Sequence, residues 1–281
     1  MQKKEIKFRK IRDTGEIISD TFQFLKQEYQ TIFKLISGYV LPFIVLNALL
    51  QVHVQRNILS KIDIYDTEAI MANLGPVYLN FFLATLFALF VQSLLIGAFY
   101  TYLEAYIKEG KSNFELSDIT PRLFSNSLQA LLANIVLFAL FMLGVILCIL
   151  PGIYLANTFS ILVFTVLFEK NNLSQSMQRT FRLVHVQWWN TLLINISGIA
   201  LVYFAGVLLS LPTVLFDNGS PDAIPDSETV QAGFSVSHWV WIGITSVITS
   251  LLWLVPYTFL ALQYFNLDER SKSAFPPIRN F

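Results

Sequence analysis

Glu169 closes one long apolar run, and Arg179 and Arg182 follow it on a short amphipathic stretch. Glu104 closes another such run. Carboxylates and guanidinium groups at the ends of apolar segments suit an ion-paired cluster at a membrane surface. Arginine also presents a planar fork of donors that matches phosphate oxygens. Arg179 and Arg182 are therefore candidate ligands for a lipid headgroup or phosphorylated solute. Glu104 and Glu169 form the accompanying polar cluster. A salt-bridge clamp is the structural alternative.

Other chemistry has less support. The chain has no G-x-S-x-G elbow, H-E-x-x-H helix or Walker loop. No catalytic residue is assigned, and enzyme activity is not expected. His53 and His238 lack companion ligands, so neither a metal nor a cofactor is expected. The loop Pro212–Ser237 carries Asp217, Asp222, Asp226 and Glu228 without the spacing of a calcium loop. Amides remain within the apolar runs. Asn134 and Asn195 share one expected depth and Asn47 and Asn157 another, so hydrogen bonding between helices is expected.

Composition defines what positions these groups. The chain is 54% hydrophobic and only 14% charged, against ~25% charged in an ordinary soluble domain. Several runs reach spanning length. The expected fold is a single all-α integral membrane domain over residues 1–281. It has six transmembrane helices, at about 31–53, 77–106, 128–150, 153–168, 189–211 and 238–266. Residues 1–30 form a cytoplasmic basic segment, flexible over Met1–Lys10, and then an amphipathic helix. That helix presents Ile18, Phe22, Leu25 and Tyr29 along the membrane surface. A second interfacial helix presents Leu173, Met177, Phe181 and Val184.

Leu128–Phe168 is apolar almost throughout. One helix of that length would be about 60 Å long, twice the ~30 Å bilayer core. It must fold back, and Pro151 and Gly152 are the expected structural turn of a central helical hairpin. The second arm, Ile153–Phe168, would then be only about 24 Å long.

Charge supports this topology. With both termini cytoplasmic, every Lys and Arg except Arg56 and Lys61 falls on the inner side. Merging the hairpin into one span would spoil that split. A parallel internal repeat is also visible. Thr21-Phe22 matches Thr180-Phe181, and with one residue of slippage Ile36-Ser37-Gly38 matches Ile196-Ser197-Gly198.

One resemblance follows from particular residues: Leu150-Pro151-Gly152-Ile153-Tyr154-Leu155, Phe168-Glu169, Ser176, Arg179 and Trp188-Trp189. This pattern resembles uncharacterised bacterial multi-pass membrane proteins related to the membrane domain of glycerophosphoryl diester phosphodiesterases. The resemblance implies a bacterial inner-membrane location. The soluble phosphodiesterase barrel and its metal-binding carboxylates are absent, so that activity does not carry over. The expected role is a non-enzymatic scaffold or partner subunit. The alternative is a transporter or binding protein for a lipid or small solute, and a membrane-embedded enzyme ranks behind both. Expected partners are membrane lipids and a membrane protein or second copy of the chain, not nucleic acid.

Overall fold

A computed structural model describes residues 6–57, 67–110, 114–147, 149–217 and 236–274. Among them there is no strand, and ten helices carry the fold. These are α1 (Thr14–Tyr39), α2 (Leu41–Asn57), α3 (Thr67–Glu109), α4 (Leu116–Leu147) and α5 (Ile149–Thr158). They continue with α6 (Leu162–Glu169), α7 (Leu173–Val186), α8 (Trp188–Asp217), α9 (Val236–Leu252) and α10 (Leu254–Ala274). Five helical stretches are long and apolar enough to cross a membrane, and six if the pair α1 and α2 counts as one. The chain is an all-α multi-pass membrane protein.

The sequence reads as one domain, but the described residues gather into two compact units. One lies within Met1–Val40, Ser93–Leu201 and Trp253–Phe281, the other within Leu41–Gln92 and Val202–Leu252.

Three breaks sit just ahead of a proline. Leu41 opens α2 and Pro42 follows; Ile149 opens α5, with Pro151 third; Leu254 opens α10, with Pro256 third. Proline is tolerated in the first turn of a helix, where its missing N–H would have no partner anyway. This moves two expected features. The first amphipathic helix does not end near Gln30 but runs on to Tyr39, and the break falls at Val40, inside the expected first span. α4 ends at Leu147 and α5 begins at Ile149, so Pro151 and Gly152 lie inside the second arm rather than between the two. The second arm consequently gains length. Ile149–Glu169 is a 21-residue span, or about 31 Å of helix, enough to cross the bilayer core.

Gly152 serves the hairpin by letting α4 and α5 approach. A Cβ on Gly144 would sit 2.5 Å from the Gly152 Cα. Close backbone approach through small residues is a common packing mode between membrane helices. The same device joins α3 to α4, where a Cβ on Gly97 would lie 2.5 Å from the Ser127 Cα. Amides flank that contact: Asn126 Nδ2 donates to Thr101 Oγ1 at 2.8 Å and Asn134 Nδ2 to Ser93 Oγ at 2.9 Å.

The first unit is built around α6. Leu162 to Leu167 are all buried, and α6 contacts α4, α7 and α10. A helix apolar on every side belongs inside such a bundle. Aromatic rings extend this core: Phe168 packs on Tyr100 at 4.2 Å and Phe265 at 4.8 Å between centroids.

α1 and α7 start alike. Asp13 accepts from Glu16 N at 2.7 Å, and Asn172 accepts from Gln175 N at 3.0 Å, each satisfying a first-turn donor. Each helix packs inward on a face offset by about one residue from the stripe expected along the membrane surface, and on α7 Val184 belongs to both. The inward residues are Ile17, Thr21, Phe24 and Glu28 on α1, and Ser176, Thr180, Leu183 and Val184 on α7. Phe22 and Phe181 instead point outward, 45% and 42% exposed. The one-residue slippage between the matched segments has a physical location. Gln187 leaves helical geometry with φ −139 and ψ 50, ending α7 where α1 continues unbroken. Past that point the likeness fades, since Gly38 faces open space whereas Gly198 packs against Pro256.

Candidate functional site

In the first unit, the ends of α3, α6 and α10 meet the segment Ile6–Arg12. That segment, expected to be flexible as far as Lys10, is docked over its described part: Ile6 and Phe8 are buried, and Phe8 packs on Phe24 at 5.1 Å. Arg12 holds it in place. Its guanidinium is buried, donates to Phe8 O at 2.7 Å and to Asp20 Oδ2 at 2.8 Å, and also reaches Lys7 O. The Arg12 backbone N–H donates to Asn266 Oδ1 at 2.9 Å. A buried ladder continues from there along α10. Asn266 Nδ2 donates to Gln263 Oε1 at 3.0 Å, and Gln263 Nε2 donates to Thr191 Oγ1 at 2.9 Å.

Beside this ladder lies a cavity of about 230 Å³, lined by Glu104, Glu169, Asp268, Lys108, Arg9 and the rings of Phe168, Tyr264 and Phe265. The two carboxylates singled out from sequence therefore share one site. Glu169 is positioned by the end of α6, where Lys170 takes the left-handed conformation, φ 51, and turns the chain toward α7. Tyr264 donates its hydroxyl proton to Glu169 Oε1 at 3.1 Å. Glu104 is buried and engaged by Lys108, with Lys170 Nζ at 3.7 Å.

The two arginines separate. Arg179 donates through Nε to Glu169 Oε1 at 3.1 Å and through Nη2 to Asp268 Oδ1 at 2.8 Å. Its donors are turned toward two carboxylates, so Arg179 is a clamp between α6, α7 and α10 rather than an open headgroup ligand. Arg182 lies on the exposed side of α7 and makes no hydrogen bond or ion pair among the described residues. The expected pair of phosphate ligands is thus one structural cation and one solvent-facing cation.

Asp268, Tyr264, Arg9 and Arg12 were not signalled as site residues. Arg9 places its guanidinium 5.4 Å from the Phe265 centroid and 3.8 Å from both Asp268 and Glu269. Asp268 and Lys272 stand four residues apart on α10 and pair at 2.6 Å, a spacing that marks neighbours on a helix. A further buried carboxylate, Glu28, accepts from Tyr102 Oη at 2.7 Å.

The amides pair differently from expectation. Asn195 Nδ2 donates to Asn157 Oδ1 at 2.8 Å, and Asn157 Nδ2 donates to Trp188 O at 3.1 Å. Asn134 bonds Ser93 instead. No group of three or more His, Cys, Asp or Glu with metal-holding geometry occurs among the described residues. Most of the acidic loop lies outside the described residues.

Chemically, the cavity offers carboxylates already neutralised by cations, an aromatic floor, and no His, Cys or Ser among its lining residues. No protein-family model matches the chain, and no curated protein or solved structure is significantly similar to it.

Proposed function

We propose that the chain is a non-enzymatic protein of the bacterial cytoplasmic membrane, with both termini cytoplasmic, that serves as a scaffold or partner subunit. The observation that carries this reading is the second apolar face on α1 and α7. Tyr29 and Phe33 on α1 and Phe181 on α7 stay largely exposed, and Phe22 does so while touching the core through the edge of Phe259. Large exposed apolar residues on helices with a packed opposite face suit an interfacial position and a docking role. The segregation of Lys and Arg supports the orientation. Mutual neutralisation of Arg179, Glu169, Asp268, Glu104 and Lys108 supports a structural role for the charged cluster.

Native mass spectrometry of the chain in lipid-retaining particles tests this. The expected result is a stoichiometric protein partner or second copy, lost when Phe22→Glu and Phe181→Glu are combined. A chain that runs alone in both forms would overturn the proposal.

A second reading, a transporter or binding protein for a lipid or small solute, is favoured by the cavity at Glu104 and Glu169. Liposomes containing the protein should then move or retain such a compound, and Glu104→Gln should reduce the effect. The resemblance to membrane domains of glycerophosphoryl diester phosphodiesterases, read from the sequence, would fit either reading.

A further inference from the structure

The second unit contains a groove of about 530 Å³ between α2 and α9. Its walls are aliphatic: Leu49 and Val52 on one side, Val240 and Ile244 on the other. Gly243 helps to keep it open, because a Cβ there would have only Val52 Cγ2 near it, at 3.9 Å. Polar chemistry enters at one end, where Arg56 and Trp239 line the groove. The stretch of α2 from Val45 to Arg56 rises about 16 Å, roughly half the ~30 Å thickness of a bilayer core. The groove therefore has the length of one leaflet.

Its width selects the occupant. Spread along that length, 530 Å³ leaves a mean cross-section of ~30 Å², a slot that accommodates one extended hydrocarbon chain. Arginine at the end is suited to a phosphate oxygen, and tryptophan is suited to the headgroup level. We propose that this groove holds one acyl chain of a phospholipid from a single leaflet, with the lipid's anionic phosphate at Arg56. The inference requires only that the chain spans a membrane, and is independent of the scaffold reading.

The test uses the full chain in nanodiscs of phosphatidylethanolamine and phosphatidylglycerol, doped with phosphatidylglycerol carrying a photoactivatable diazirine. A diazirine at the chain end should label near Val45 and Ile248, and one next to the headgroup should label near Arg56 and Trp239. Gly243→Leu, which fills the groove, should cut labelling there several-fold. Arg56→Gln, at the exposed end, should lower the labelling without filling the groove, and it keeps the test decisive if the glycine variant folds poorly. Labelling no stronger in the groove than on lipid-facing Leu132 and Phe204, meaning bulk lipid only, would overturn the proposal. So would labelling unchanged in both variants, or a second copy of the chain cross-linked through the groove in place of the probe.

Discussion

Tyr102 on α3 donates its hydroxyl proton to Glu28 on α1 at 2.7 Å, joining two helices through a carboxylate that is only 4% exposed. A hydrogen bond to a charged group contributes about 1.5–3 kcal/mol. Tyr102→Phe removes the donor and keeps the ring that packs near Tyr106 and Phe114. The variant should unfold at a lower temperature in mild detergent, with a loss on the order of 1–3 kcal/mol. Glu28→Gln keeps an acceptor for Tyr102 and should cost less. Thermal unfolding followed by circular dichroism compares the two. A loss in Glu28→Gln as large as in Tyr102→Phe would contradict this account.

Much of this architecture was legible in the sequence because membrane spans are written as long apolar runs, and three of the helix breaks fall just ahead of a proline. What could not be read was which face of a helix turns inward. α1 carries two stripes, Ile17-Thr21-Phe24-Glu28 and Ile18-Phe22-Leu25-Tyr29, and the more hydrophobic one points outward. Amphipathicity marks the inner face in water, where only one side is apolar; beside a membrane both sides can be. Glu104 and Glu169 were readable as a cluster because each closes an apolar run. Asp268 was not, since its contact with Arg179 closes between residues far apart in sequence. The docking of Phe8 and Arg12 was hidden within a basic stretch that reads as solvated.

Glycines in this fold divide by what surrounds them. Gly144→Ala places a methyl group 2.5 Å from the Gly152 Cα, and backbone there cannot yield as a flexible side chain would. The α4–α5 hairpin must open, and overpacking of this kind typically costs about 1–3 kcal/mol. Gly206→Ala, inside α8, meets nothing within 4 Å and should be neutral or add up to ~1 kcal/mol through helix propensity. Thermal melts of both variants in the same detergent check the opposite signs.

The two arginines of α7 should also part company. Arg179→Gln removes the cation shared by the partly buried Glu169 and the buried Asp268, which keeps Lys272, so the loss should be about 1–3 kcal/mol. Arg182→Gln touches neither and should leave the melting temperature unchanged. If Arg182 meets anionic lipid, its replacement should instead weaken thermal stabilisation by added phosphatidylglycerol. Melting curves with and without that lipid separate the roles, and a larger loss at Arg182 than at Arg179 would contradict the clamp.

Charge segregation makes the last prediction. Arg56 follows the apolar stretch of α2, whereas Lys108, Lys170 and Arg270 belong to the opposite membrane side in the six-span reading. Single cysteines at Arg56, Lys170 and Lys272, introduced in a Cys148→Ser background, should respond differently to a membrane-impermeant maleimide in intact cells. The Arg56 position should label from outside. Lys170 and Lys272 should label only after the cells are opened. The Lys170 site is the decisive one, because it lies beyond the central hairpin. Merging α4 with the α5–α6 arm into a single crossing would reverse its side and place Arg179 and Arg182 outside. Labelling of Lys170 in intact cells would therefore refute the hairpin as two membrane crossings, and with it the cytoplasmic position proposed for the charged cavity.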